Sequence, residues 1–234
     1  MRPVEALSAK EGQDPDPSTS PARDLRLLSS VCHDMKAPLA SIVVGAGFLR
    51  KVLPKDNLAA LRVVDAMHRA ARRMDQLIVN FGDLGKLEAR ELSLEIRAHP
   101  VREIVQMAFE QLRADATGDG ITVTLAMSAE TASTSIRGDR NRLLQILAQL
   151  TACALRVAPD GSALTMHVSS DGGNVRFEMT TKTANAASRR IESDLPRPQL
   201  AIAQGLIELH GTELDIDRDA HTLTLGFALP VAAG

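Results

Sequence analysis

Apolar side chains recur along the first third of the chain at alternating steps of four and three. Residues 28, 32, 35, 39, 42, 46, 49 and 53 are Leu, Cys, Met, Leu, Ile, Ala, Leu and Leu. A heptad rhythm held over more than three repeats predicts a helix from Ala22 to the break at Pro54-Lys55-Asp56-Asn57. The rhythm returns at Ala60, Val64, Met67, Ala71, Met74, Ile78 and Phe81. Second stripes one residue earlier widen both faces: Val31, Pro38, Gly45 and Val52 on the first helix, Val63, Ala70, Leu77 and Leu84 on the second. One hairpin leaves too much of this surface uncovered, and two hairpins joined in a four-helix bundle cover it, so the pattern predicts a homodimer.

After Glu91 the period changes. Ser93 to Ala98 reads as a strand and Val101 to Ala116 as a helix. Gly118-Asp119-Gly120 turns the chain into a strand at Ile121 to Met127, and Ser133 to Arg137 reads as another. A helix capped by Asp139 carries Leu143, Leu144, Ile146, Leu147, Leu150 and Leu155 as far as Pro159-Asp160-Gly161. Ala163 to Ser169 and Val175 to Thr181 form a strand pair about Asp171-Gly172-Gly173. A polar segment with little periodicity, Thr183 to Asp194, precedes a helix over Pro198 to His210, a capping Gly211, and strands at Glu213 to Asp217 and Thr222 to Leu229. The second half is therefore expected to be an α/β sandwich with about three helices, and the whole chain an α+β protein of two domains.

Composition narrows the function. Of 234 residues, 27 are basic and 29 acidic, for a net charge of -2, so no overall field draws the chain to nucleic acid or anionic lipid. The absence of Trp and Tyr removes the stacking platforms of single-strand binders. No apolar run reaches the ~20 residues of a membrane span. Met1 to Ala22 is rich in Pro, Ser, Asp and Glu without an apolar centre, unlike a signal peptide, and residues 1–21 read as a disordered tail. A cytoplasmic protein is expected. Cys32 and Cys153 stand far apart, outside any C-x-x-C or Cys/His cluster, so neither a disulfide nor a metal site is expected. Cys32 reads as a small core residue, and Cys153 as a helix residue facing the sandwich core.

Ser30-Val31-Cys32-His33-Asp34-Met35-Lys36-Ala37-Pro38-Leu39 resembles the H box of the histidine kinase core family, on the first helix of a hairpin as that family has it. Phe81-Gly82-Asp83-Leu84-Gly85-Lys86-Leu87-Glu88 is similar to the family's exit from the bundle. The likeness covers roughly residues 22 to 231. It implies a dimerisation and phosphotransfer hairpin over 22–92 and a sandwich of the histidine kinase ATPase type over 93–234. It also implies that His33 is the phosphoryl acceptor and that Asp34 fixes its tautomer; Lys36 is a candidate for steadying phosphoryl charge, with a solubilising residue on an exposed helix face as the other reading. Pro38 is expected to loosen the helix one turn on. His33 adjoins heptad position Cys32, about 100° around the helix, and is expected on the solvent flank.

The sandwich departs from the family at its nucleotide boxes. Gln149 and Cys153 stand where the N box has two asparagines, and a thiol is a poor magnesium ligand. Thr181-Lys182-Thr183-Ala184-Asn185 replaces D-x-G-x-G. Arg197-Pro198-Gln199-Leu200-Ala201-Ile202 replaces the second glycine-rich box, and Pro198 removes an N–H donor. No cofactor is expected. The chain looks like the family's histidine phosphotransferases with a degenerate kinase domain, whose partners are receiver domains of response regulators and of a hybrid histidine kinase. Two alternatives stand beside this: a divergent kinase that still uses ATP, and a scaffold or inhibitor that docks on kinase or receiver. Ala37 stands where phosphatase-competent relatives carry Thr or Asn, so a poor phosphatase is expected. His68, His99, His167, His210 and His221 read as surface or end-of-element residues. Arg69, Arg72 and Arg73 read as a solvated basic face, with guidance of an acidic receiver surface as the alternative.

Overall fold

The computed structural model describes residues 21–116, 120–171, 173–183 and 197–232. The N-terminal tail read as disordered, Gly118-Asp119, Gly172 and most of the polar segment from Thr183 to Asp194 lie outside these residues.

Two long helices, α1 (Pro21–Val52) and α2 (Leu58–Glu88), form the expected hairpin. Asn57 starts α2: its Oδ1 accepts the Ala60 N–H at 3.1 Å, which satisfies one of the helix's orphan donors. The heptad stripes divide into two sets. Every seventh residue, Cys32, Leu39 and Ala46 on α1 and Val64, Ala71 and Ile78 on α2, is buried between the helices. The intervening positions, Met35, Ile42 and Leu49 on α1 and Met67, Met74 and Phe81 on α2, remain 42–49% exposed. A 3.5-residue repeat sets alternate positions on opposite sides of one seam, so a hairpin alone closes only one of them.

The sandwich follows as β1 (Arg97–Pro100), α3 (Val101–Ala116), β2 (Thr122–Met127), α4 (Ala129–Ser133), β3 (Ser135–Gly138), α5 (Arg140–Val157), β4 (Ala163–Ser170), β5 (Asn174–Lys182), α6 (Arg197–Leu209), β6 (Asp215–Arg218) and β7 (Thr222–Pro230). Five strands form one sheet in the order β2-β4-β5-β7-β6, with β2 parallel to β4 and the other pairs antiparallel. Period-two alternation gives the sheet its faces. Leu164, Met166, Val168, Val175, Phe177, Met179, Leu223, Leu225, Phe227 and Leu229 point into one core with residues of α3, α5 and α6. The other face is polar, with Thr124 on Thr165, Thr180 on Thr224 and Arg176 on Asp215. A separate pair, β1 with β3, closes the end of the sandwich.

Three details differ from the expectation. The strand read at Ser93 begins only at Arg97, because the residues before it serve other partners: Leu92 is buried in the core, and the Glu95 N–H donates to Asp139 Oδ2 at 3.0 Å. The strand read at Glu213 begins at Asp215. Helix α4 was not anticipated, although Ser128 signals it by accepting the Thr131 N–H at 3.0 Å, an N-cap three residues ahead of its partner.

Candidate functional site

His33 lies on α1 between buried Cys32 and exposed Asp34, and Met35, Lys36, Ala37 and Pro38 are exposed as well. The imidazole itself is outside the described side chains. Where Cys32 and Leu39 face the hairpin core, residues 34–38 between them are exposed in the single chain. At 3.6 residues per turn, Ala37 lies one turn on from His33 and on the same flank. Its carbonyl accepts the Ser41 hydroxyl at 3.2 Å. Helix α1 continues through Pro38, which brings no N–H to the ladder of backbone bonds next to the histidine. Of the basic cluster on α2, Arg69 is exposed, and the side chains of Arg72 and Arg73 lie outside the described set.

The N-box positions are closed. Gln149 is 2% exposed and its amide pairs with that of Asn80: Nε2 donates to Asn80 Oδ1 at 2.8 Å, and Asn80 Nδ2 donates back to Oε1 at 3.4 Å. Next to this pair, Asp83 Oδ2 accepts from Arg142 at 2.8 Å and from Gln145 at 2.7 Å. Cys153 has no exposure, and burial pushes its thiol up to about 12, so it stays protonated. Cys153 offers no hard oxygen to a divalent cation, and the Gln149 amide oxygen is turned to Asn80.

At the second box Thr181 ends buried in β5, its hydroxyl donating to the Ala163 carbonyl at 3.2 Å, and Thr183 N–H donates to the His221 carbonyl at 2.8 Å. Ala184 and Asn185 lie outside the described residues. The third box opens α6 with exposed Pro198 in place of an amide donor. Among the described residues, then, Gln149 is paired with Asn80, Cys153 is a protonated buried thiol, and Pro198 brings no N–H. The Thr183 hydroxyl and the Gln199 side-chain oxygen are nonetheless buried without a hydrogen-bond partner among the described residues.

His210 is an end-of-element residue, directly after α6. It is half-buried, and both ring nitrogens are engaged, Nδ1 2.7 Å from the Leu206 carbonyl and Nε2 accepting the Asp139 N–H at 3.2 Å. The only signal in the sequence was its place at the end of a helix. The network of Asn80, Asp83, Arg142, Gln145 and Gln149 was also missed, since nothing local shows that polar residues 59 to 69 positions apart will meet.

Residues 24–90 match the model of the His Kinase A (phospho-acceptor) domain. Over 199 residues the chain is 29% identical to the sensor protein DivL of Caulobacter vibrioides, covering 79% of this chain and 25% of that one. Over 225 residues it is 23% identical to the histidine protein kinase DivJ of the same organism, covering 88% and 37%. It thus spans between 25% and 37% of the length of these relatives. A solved structure of full-length ShkA in complex with AMPPNP shares the fold with a TM-score of 0.64 at 20% identity, over 89% of this chain and 46% of that one. Among the described residues no helix is long and apolar enough to cross a membrane.

Proposed function

This chain belongs to the histidine kinase core family, and we propose that it acts there as a histidine phosphotransfer protein, relaying a phosphoryl group between receiver-domain aspartates through His33 without using ATP. One contrast carries the reading. The H box lies open on α1, and the two N-box positions are sealed, one in an amide pair with the hairpin and the other in the core.

In the proposed transfer the neutral imidazole of His33 attacks the phosphorus of an aspartyl phosphate in line. A P–N bond forms, the P–O bond to the aspartate breaks, and the electron pair returns to the receiver's carboxylate. The neutral ring keeps one nitrogen lone pair available for the attack. Asp34 accepts a hydrogen bond from the ring nitrogen that does not attack, which fixes the tautomer, and Lys36 lowers the cost of phosphoryl charge. Reversal onto a second receiver completes the relay. The chain works as a homodimer, because the half-exposed heptad positions need a partner and a second copy supplies the same seam.

A second reading, a divergent kinase, draws support from the buried Thr183 hydroxyl and Gln199 oxygen, which lie in the second and third boxes and have no hydrogen-bond partner among the described residues. One experiment separates the two. Incubation with radiolabelled phosphorylated receivers transfers label to the chain and not to its His33→Ala variant, and labelled ATP alone gives none. Labelling of His33 by ATP alone would establish a kinase.

A further inference from the structure

Three residues on the last turns of α2, Asn80, Asp83 and Leu87, share one side at spacings of three and four. On α5 the partners Arg142, Gln145 and Gln149 repeat that spacing. The pairs run in opposite order: Asn80 meets Gln149, and Asp83 meets Gln145 and Arg142, so the two stripes lie antiparallel and in register. Beyond them the Leu87 side chain rests on α6 at Gly205, where an added Cβ would lie 3.0 Å from Leu87 Cδ1. Leu84 and Leu87 pack against the sandwich core, and Ile78 belongs to the hairpin core. The end of α2 is thus shared by both cores.

A buried polar pair discriminates between arrangements more sharply than an apolar contact does. Sliding α2 by one turn along α5 would part both amides from their partners inside a water-poor interface and strand the Asp83 carboxylate. Apolar side chains alone would tolerate such a shift. We propose that the Asn80–Gln149 and Asp83–Arg142–Gln145 contacts form an interdomain latch that holds the sandwich on α2 in one fixed register. One of the family's two N-box positions, Gln149, is used here as a docking surface, and the sandwich is a wing of the bundle rather than a separately mobile domain. This goes beyond the relay and does not depend on it.

Amide hydrogen exchange of the full-length dimer over residues 79–88 reads the latch. Wild-type exchange is slow there, and in the double variant Asn80→Ala, Asp83→Ala it rises at least about tenfold, reported equally by the facing stretch of α5. Alanine is the better helix former, so a purely local effect on α2 would slow exchange instead. The swap Asn80→Gln with Gln149→Asn keeps the combined length of the pair and restores slow exchange, whereas Gln149→Asn alone, one methylene short, does not. Wild-type exchange as fast as that of the double variant, or a Gln149→Asn variant as slow as wild type, overturns the latch. Phosphoryl transfer does not enter the readout, so failure of the latch and failure of the relay are separate results.

Discussion

Asp139 donates its backbone N–H to His210 Nε2 at 3.2 Å, tying the start of α5 to the end of α6. Because the Leu206 carbonyl can only accept, His210 carries its proton on Nδ1 and leaves Nε2 free to receive that N–H. The Asp139 carboxylate faces the other way and accepts three backbone N–H groups, from Glu95, Asn141 and Arg142 at 3.0, 3.0 and 3.2 Å. One residue therefore caps α5, secures the connection from the hairpin, and anchors α6.

Burial pushes the Asp139 carboxyl up, but the accepted bonds from Glu95, Arg142 and Asn141 and the nearby Arg142 charge outweigh it and hold it below its ordinary 3.8. A carboxyl depressed by folding stabilises above its unfolded value and loses that contribution as pH falls through the folded one. Asp139→Ala is expected to cost about 2 kcal/mol at pH 7, at the upper end for an N-cap. Urea unfolding at stepped pH should show the gap to wild type intact above pH 4 and narrowing below it.

The hairpin was legible because a heptad stripe needs only local spacing, and every seventh apolar residue from Cys32 and from Val64 packs as that spacing implies. The cap at Asp139 was legible for the same reason. The late start of β1 was not, since the Glu95 N–H goes to a carboxylate 44 residues away. Nor was the role of Gln149: its mismatch with the N box could be read from the sequence, but its partner Asn80 lies 69 positions earlier on a different element.

Cys153 should be chemically silent. With its thiol raised to about 12 by burial, almost no thiolate exists at pH 8, and iodoacetamide should leave it unmodified in the native protein while modifying it in denaturant. Cys153→Asn, which restores the family's residue type, buries an amide in a closed core and is expected to destabilise by about 1–3 kcal/mol. Melting with and without magnesium-ATP should show no gain in stability for this variant; a ligand-dependent rise would mean that the nucleotide site needs only this donor.

Ala37 bears on phosphate lifetime. Its methyl group, exposed one turn beyond His33, cannot orient a hydrolytic water. The decay of a phosphorylated receiver should therefore be no faster with the His33→Ala protein present than without it. Ala37→Thr places a hydroxyl on that flank and is expected to quicken the decay several-fold, on the scale of a single positioned polar group. Marked acceleration by the wild-type chain beyond the label captured on His33 would count against the assignment.

The half-exposed heptad residues give the sharpest test of assembly. Met35, Ile42 and Leu49 with Met67, Met74 and Phe81 lie between positions already buried, so the second side of each seam has no cover among the described residues of one chain. Covering the 42–49% of each side chain that remains exposed contributes about 1 kcal/mol apiece, roughly half the value for full burial, and a second hairpin presenting the same stripe supplies it. A carboxylate at Met74 would have to be desolvated at the centre of that contact, yet Met74 is 47% exposed in the single hairpin and does not hold it together. Met74→Glu is thus expected to halve the mass measured by light scattering while the helical circular dichroism persists. Val64→Ala, on the buried set, should instead lower the melting temperature and leave the dimer's mass unchanged. If Met74→Glu kept its mass, the exposed stripe would not be the surface that joins two chains.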